Sequence, residues 1–591
     1  MTYQAPLSDI GFALKHGAAL KPALEAGLFG DLTMDVVDAV LAEAGRFAGE
    51  VIAPLNPVGD RYGTPFKDGA VTTAPGWKEA YQAWRSGGWN GLAAPTEWGG
   101  QALPQVVNAA CTEMWHAASM AFADGPMITM AAIDALHAHG SAPLKRAYLE
   151  KLVSGEWMGT MQLTEPQAGS DVGALRARAE RTGDGAYRIT GQKIFITYGE
   201  HDLTDNIIHF VLARLPNAPP GTRGISLFLV PKFLLHPDGS LGARNDVRAH
   251  SVEHKLGIHG SPTCTMIFGD NGGATGFLIG EENAGMACMF TMMNRARLAV
   301  GLQGVGVAEC ATQQALAYAR ERRQGRAAGT PAMQSAPLIA HPDVKRMLLS
   351  MRGLTQAARA ICYATAMALD RSERSPDAAA RNAAHERASL LTPVAKAFST
   401  DIGNEVTSLG VQVHGGMGYI EETGVAQLFR DARIAAIYEG TSGIQAIDLV
   451  TRKLPLSGGA AVAAHLEQLR GIVDAVNANN DPAFGWAPVR LGEALDSLTR
   501  ATKWMLGLRD NAADEALAGA TPFLRLFGVA TGGCYLAQQA LAALQLGEEA
   551  QSRLALARFF AENFAVQAGA LERIIVASAP GLIGADAALA P

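Results

Sequence analysis

Cysteine is scarce: six residues in 591, at 111, 264, 288, 310, 362 and 534, with no CxxC pair and no ligand spacing toward a histidine. That excludes a disulfide scaffold and a Cys/His metal site, and leaves ordinary buried thiols in a reducing compartment. Charge is also sparse, at 18% with a net of −7, so neither nucleic acid nor an anionic membrane is an expected partner. A polyanionic ligand would have to be met by a few Arg side chains and helix N-termini. No apolar run reaches the ~18–20 residues that span a bilayer. The N-terminus reads Met-Thr-Tyr-Gln-Ala-Pro with an early Asp9 and no basic region ahead of an apolar one, so no signal peptide is read and a cytoplasmic protein is expected. No GxGxxG follows a predicted strand, which removes support for a Rossmann dinucleotide site.

What is present is a hydrophobic fraction of 48% in a chain too long for one core. The extension 1–34 is followed by a helical region, 35–157, in which Val36, Val37, Val40, Leu41, Ala44, Phe47, Ala48 and Val51 recur at helical spacing until Pro54. Character changes near 158. Ile207–Leu212 and Ile225–Val230 are β-rich runs, with Pro219-Pro220-Gly221 and Pro237-Asp238-Gly239 as turns, so 158–282 reads as a small antiparallel barrel or sandwich. Long helical text resumes over 283–454 and predicts a bundle, with Gly301, Gly304 and Gly306 inside its first helix. Each such glycine costs about 1 kcal/mol relative to Ala, which close packing or ligand approach would justify. Pro455-Leu456-Ser457-Gly458-Gly459 reads as a linker, and 460–591 as a further helical domain. The fold class is α+β, mostly α.

Two dense motifs carry the chemistry. Leu163-Thr164-Glu165-Pro166-Gln167-Ala168-Gly169-Ser170-Asp171-Val172 offers backbone N–H groups and a hydroxyl in a turn, which suits a phosphate, pantetheine or flavin oxygen as well as it suits an ordinary Ser or Asx turn. Ile437-Tyr438-Glu439-Gly440-Thr441-Ser442-Gly443-Ile444-Gln445 sets one carboxylate between a tyrosine and a glycine. Together they resemble the signatures of the acyl-CoA dehydrogenase family, flavoenzymes that introduce an α,β-double bond into a fatty acyl thioester. The resemblance covers roughly 35–454, and the extra helices of 460–591 are most like the larger 3-methylmercaptopropionyl-CoA dehydrogenase subgroup.

That resemblance implies an N-terminal helical domain, a middle β domain and a C-terminal four-helix bundle. It implies FAD as cofactor, acyl-CoA as substrate, an electron-transfer flavoprotein as acceptor and a homodimer. Glu439 becomes the base that removes the α-proton. Flavin contacts fall to Met161, Leu163, Thr164, Ser170, Phe195, Thr197, Gln412, Gly416, Thr441 and Gly443, and Arg322 is the arginine that pairs with the pyrophosphate across a subunit interface. Substrate contacts fall to Ser170, Asn294, Arg297, Tyr438 and Gly440. Many family members carry Trp where Phe195 stands. Some place the base at the position of Ala296, which cannot serve. The loop after Arg326 is longer than the family's. His414 is read as a turn histidine rather than a base. An oxidase of the same superfamily using O2 and a catalytically silent acyl-CoA-binding homologue are the alternatives.

Overall fold

A computed structural model describes residues 3–183, 185–328, 334–508, 513–547 and 549–590. Part of the extended loop after Arg326 therefore lies outside the described residues. Helix α1 (Met34–Phe47) starts where the Thr33 hydroxyl accepts the Val36 N–H, an N-cap that meets an otherwise orphaned donor. Helices α2 (Gln105–Ala118), α3 (Met120–His139) and α4 (Ala142–Val153) complete the first helical layer. Nearly every residue of α2 and α3 is buried, because both are covered by the helices that follow.

Eight strands form the main sheet of the middle region, with a separate two-stranded piece at Phe233–Leu235 and Leu241–Arg244: β1 (Met158–Gln162), β2 (Arg178–Arg181), β3 (Tyr187–Thr197), β4 (Ile207–Arg214), β5 (Ile225–Pro231), β6 (Val247–Val252), β7 (Thr263–Phe268) and β8 (Ala274–Ile279). They pair in the order β6-β7-β3-β8-β5-β4-β1, and β2 touches both β3 and β4, so β4, β5, β8, β3 and β2 close on themselves. The expected barrel is thus present, but it is not wholly antiparallel. β1 lies parallel to β4, Met158 beside Ile207 and Gln162 beside Val211. A parallel neighbour needs a long crossover, and the chain from the Ser170 loop through β2 and β3 supplies it. Ile189, Val211, Phe228, Val230 and Phe268 fill the barrel core.

In β3 the register against β7 slips between Lys193–Met266 and Ile196–Cys264. The extra residue is absorbed at Phe195, whose φ is +60° and which is 60% exposed as a residue. Bulges of this kind turn a side chain away from the face it would otherwise share.

Three long helices follow: α5 (Gly285–Glu321), α6 (Pro342–Arg374) and α7 (Ala378–His414), with the short α8 (Val425–Ala432) and α9 (Ser442–Asp448) completing the bundle. The glycines of α5 are packing residues. A Cβ on Gly301 would stand 2.5 Å from the Ala395 carbonyl oxygen, and one on Gly304 would stand 2.2 Å from that of Ser399. α5 and α7 therefore run side by side in the same direction with their backbones nearly touching.

Beyond the linker, α10 (Ala460–Asn479), α11 (Ala487–Leu508), α12 (Ala520–Leu546) and α13 (Ala550–Asn563) form a helical layer against α6 and α7. The ring of Phe398 lies where a side chain on Gly528 would be, and Ala357 abuts Gly532. The N-terminal segment is tied to the same layer, with Asp9 accepting from Gln356 and Arg553.

The core of the helical part holds a buried charge network. Arg359 donates to Glu113 at 2.6 Å and to Glu309 at 2.9 Å, and the Tyr363 hydroxyl donates to Glu113 at 2.7 Å. These groups bridge α2, α5 and α6. Removing one member strands the others in a medium that cannot solvate them. Glu113→Ala is expected to destabilise the fold by about 3–5 kcal/mol, seen as a lowered thermal midpoint; an unchanged midpoint would show that the network carries no weight.

Candidate active site

The segment between α8 and α9 makes a tight reversal. A short 3-10 turn, Arg433–Ala436, leads to Glu439 at φ +53° and Gly440 at φ +81°, and Thr441 then caps α9 by accepting the Ile444 N–H at 3.1 Å. Two successive left-handed residues are costly unless the surroundings hold them, and such strain gathers at functional sites. Gly440 is required twice over: by its φ, and because a Cβ there would lie 2.6 Å from the Gln445 Nε2. Gln445 in turn donates to the Glu439 carbonyl at 3.4 Å. Among the described residues the Glu439 N–H donates to no acceptor.

Glu439 keeps part of its surface open to the site, yet protein crowds it enough that burial pushes its carboxyl up to about 7, against the pull of Arg297 and then Lys396. Arg297, on α5, is buried; its Nη1 lies 3.8 Å from Asp448 and its Nε has no hydrogen-bond partner among the described residues. The Tyr438 hydroxyl, beside Glu439, donates to the side-chain Oε1 of Gln303, and Gln303 Nε2 donates to Asp124 of α3 at 2.7 Å. That chain of bonds fixes the Tyr438 ring against the inner wall. A cavity of about 40 Å³ lies between α2, α3 and α5, lined by Thr112, Met127, Met130, Ala131, Leu298 and Leu302.

The first motif sits at the end of β1. Met161, Leu163 and Thr164 are half-buried, and the Thr164 carbonyl accepts the Ile194 N–H at 2.9 Å, joining this motif to the β3 bulge. Glu165 pins the loop from inside, paired with the fully buried Lys193 at 2.8 Å and accepting from the N–H groups of Arg176 and Ala177. Ser170 is left exposed at the loop's tip. Thr197 is half-buried two residues beyond the exposed Phe195 ring.

The predicted residues fall into three places. Glu439, Gly440, Tyr438 and Arg297 are together, with Thr441 and Gly443 on the following turn. Met161, Leu163, Thr164, Phe195 and Thr197 share the β1–β3 edge. Arg322, Gln412 and Gly416 are elsewhere, exposed at the far ends of α5 and α7. Arg322 stands about 37 Å from Arg297 at the ~1.5 Å rise of a helix. His414 is buried there, stacked on Tyr318 at 4.4 Å and bonded to the Gly410 carbonyl, which agrees with a structural histidine. Asn294 is exposed on the third turn of α5, and its neighbour Arg295 pairs with Asp134 and Glu373. Gln303 and Lys396 were not singled out from sequence. The signal for Lys396 is a lysine on the apolar face of Val394-Ala395-Lys396-Ala397-Phe398.

A helical layer, a closed β region and a long-helix bundle around a strained, half-buried glutamate define an architecture that the comparisons identify. The chain matches the acyl-CoA dehydrogenase N-terminal domain over 37–156, the middle domain over 160–271 and the C-terminal domain over 283–454, and the acetyl-CoA dehydrogenase C-terminal-like family over 460–586. It belongs to the acyl-CoA dehydrogenase family, oxidoreductases acting on CH–CH donors. A relative named 3-methylmercaptopropionyl-CoA dehydrogenase, from Ruegeria pomeroyi, is 46% identical over 99% of this chain and 100% of its own. Among solved structures, Caenorhabditis elegans ACDH-11 in complex with C11-CoA superposes with a TM-score of 0.76 at 21% identity, covering 97% of this chain and 95% of the other. A Bacillus anthracis acyl-CoA dehydrogenase complexed with FAD gives 0.75 at 19% identity, over 95% and 92%. These two likenesses speak for the fold.

Proposed function

We propose that this chain dehydrogenates an acyl-CoA thioester across its α,β-bond with FAD as cofactor, Glu439 removing the α-proton and an electron-transfer flavoprotein receiving the electrons. The observation that carries it is Glu439 itself, half-buried on a left-handed turn with a carboxyl near 7 and two cations for neighbours.

The α C–H is a weak acid, and a carboxylate whose pKa is raised toward the working pH is a better base for it. Because the pKa is raised, the competent ionised form accumulates as pH rises through about 7. The free N–H of Glu439 is available to the thioester oxygen, where enolate charge develops. Gly440 lets the thioester lie close to that N–H. Tyr438, tethered by Gln303, forms a wall of the acyl site, and Arg297, Asn294 and Ser170 are the remaining substrate contacts.

The residues at the β1–β3 edge fit a flavin. The bulge presents the Phe195 ring to the outside with Met161, Leu163 and the hydroxyls of Thr164 and Thr197 nearby, an aromatic and polar wall suited to a flat heteroaromatic ring. Those five residues, with Ser170, Thr441 and Gly443, would hold it. Bound FAD supplies the acceptor for the β-hydride. Arg322, Gln412 and Gly416 are too far along their helices to join Glu439 within one chain, and they lie beside exposed Met417, Tyr419 and Ile420. This supports a homodimer in which that end of one protomer completes the cofactor site of its partner. Six free, buried thiols suit a cytoplasmic location, and no helix among the described residues is long and apolar enough to cross a membrane.

The candidate substrate is 3-methylmercaptopropionyl-CoA, with short, medium and long straight-chain acyl-CoAs as the comparison set. Anaerobic mixing of the yellow protein with that panel is expected to bleach the flavin fastest with the thioether substrate and to leave reduced flavin that persists in air until an electron-transfer flavoprotein is added. Rapid peroxide formation would instead identify an oxidase. Binding without bleaching would identify a silent homologue.

A further inference from the structure

Lys396 has no role in the reaction as described so far, and its placement is unusual. It lies on the inner face of α7, fully buried, and its Nζ has no hydrogen-bond partner among the described residues. An ammonium carries three donors, and leaving all of them unmet in a protein interior is expensive unless an opposite charge is close. Of the charges acting on Lys396, Glu439 is the strongest attraction and Asp401 the second, with Arg297 opposing. Seen from the other side, Arg297 and Lys396 are the two charges acting on Glu439.

We propose that Lys396 is a positioning residue for the catalytic base: its ammonium, held in the interior by α7 without a hydrogen-bond partner, is the second counter-charge of Glu439 beside Arg297. This rests on the reading of Glu439 as the base. The two cations act on the carboxylate from two helices, α5 and α7, that are locked together at Gly301 and Gly304, and neither forms an ion pair with it within 4 Å among the described residues. Arg297 is shared with Asp448, which lies 3.8 Å from it, so its charge is partly spent before it reaches Glu439. Lys396 has no such bonded carboxylate. Asp401, its other attraction, is engaged by the Ser442 hydroxyl at 2.8 Å and also faces Arg525 of α12 and Arg433. The remaining charges of the neighbourhood, Arg452 and Lys453, gather around Asp448 and Arg297. The pull of Lys396 on Glu439 is therefore the one least shared with other partners.

The sign follows from Coulomb attraction. A cation favours the ionised carboxylate, so losing it raises the pH at which Glu439 becomes competent. Burial holds the Lys396 ammonium down to about 8, so its charge fades in the wild type above that pH. The ratio of wild-type to neutral-variant rate should be largest below pH 7, where the Lys396 charge is fully present, and approach one toward pH 9.

The test compares FAD-loaded wild type, Lys396→Met, Lys396→Arg and Glu439→Gln. Flavin reduction by an acyl-CoA that bleaches the wild type is followed anaerobically from about pH 6 to 9. The carboxylic acid band that Glu439→Gln abolishes is titrated separately by infrared difference spectroscopy. In Lys396→Met both midpoints are expected to move up by about one pH unit. The rate should fall about fivefold at pH 7 and be nearly normal at pH 9, with Lys396→Arg restoring the wild-type profile. Should Lys396→Met fail to fold, Lys396→Gln carries the same comparison. Unmoved midpoints in a folded neutral variant would overturn the role of Lys396 while leaving the base in place. Near-normal reduction by Glu439→Gln would instead overturn the base, and the proposal with it.

Discussion

Glu439→Gln is expected to bind FAD and acyl-CoA as the wild type does and to lose flavin reduction by about 10²- to 10⁴-fold, the range for removing a general base. The amide keeps the size of the side chain, so the left-handed turn at Glu439 and Gly440 should survive, as should the Gln445 bond to the 439 carbonyl. What disappears is a group able to take the α-proton. Stopped-flow absorbance measures it directly, with the charge-transfer band on ligand binding as the control for an intact site. Among the described residues the other nearby carboxylates are already engaged, Asp124 by Gln303 and Asp431 by the Ile258 N–H. Asp448 is engaged by Arg297 and Arg452, and Asp401 by Ser442. Position 296, where some relatives carry their base, is alanine. A variant that still reduced its flavin at a near-normal rate would remove Glu439 from the mechanism.

Ending the chain at residue 459 is expected to leave a protein that is insoluble or melts at least about 10 °C lower. Residues 460–590 do not hang from the bundle as a separate unit. α12 is buried along most of its length, with Phe523, Leu526 and Phe527 inside. Its glycines let it settle onto Phe398 of α7 and Ala357 of α6. Exposing such side chains costs about 1.5–3 kcal/mol each, and several would be exposed at once. The truncation also takes Arg553 from Asp9, which keeps Gln356 and Arg352 of α6 as partners. Differential scanning calorimetry and light scattering on the truncated chain would check this. A soluble protein with an unchanged midpoint and an unchanged oligomeric state would show that the extra layer has neither role.

Much of this was legible because it depends on local text. The change from helix to strand near 158, the β runs and the long helices after 283 follow from residue periodicity, which the structure reproduces. The glycines of α5 announced close packing but not the surface they pack against, because helical text alone does not say which two helices meet. Three features of the site could not be read. Lys193–Thr197 reads as ordinary β-rich text, so the slip that exposes Phe195 shows only when β7 is laid beside it. The backbone at Glu439 is left-handed although glutamate has no preference for it; surrounding contacts impose that. Lys396 and Gln303 become notable through what surrounds them, a dry interior in one case and Tyr438 and Asp124 in the other.

The seam between α5 and α7 also constrains how this enzyme can change. Any side chain added at 301 or 304 meets main-chain atoms of the opposite helix, so that wall cannot be reshaped one substitution at a time. Another face of the same helix is different. Leu298 and Leu302 of α5 border a small void with Met127, Met130 and Ala131 of α3. One helix thus carries a face with no room for a methyl group and a face with space beside it, so a change in side-chain size is easier to absorb on the second.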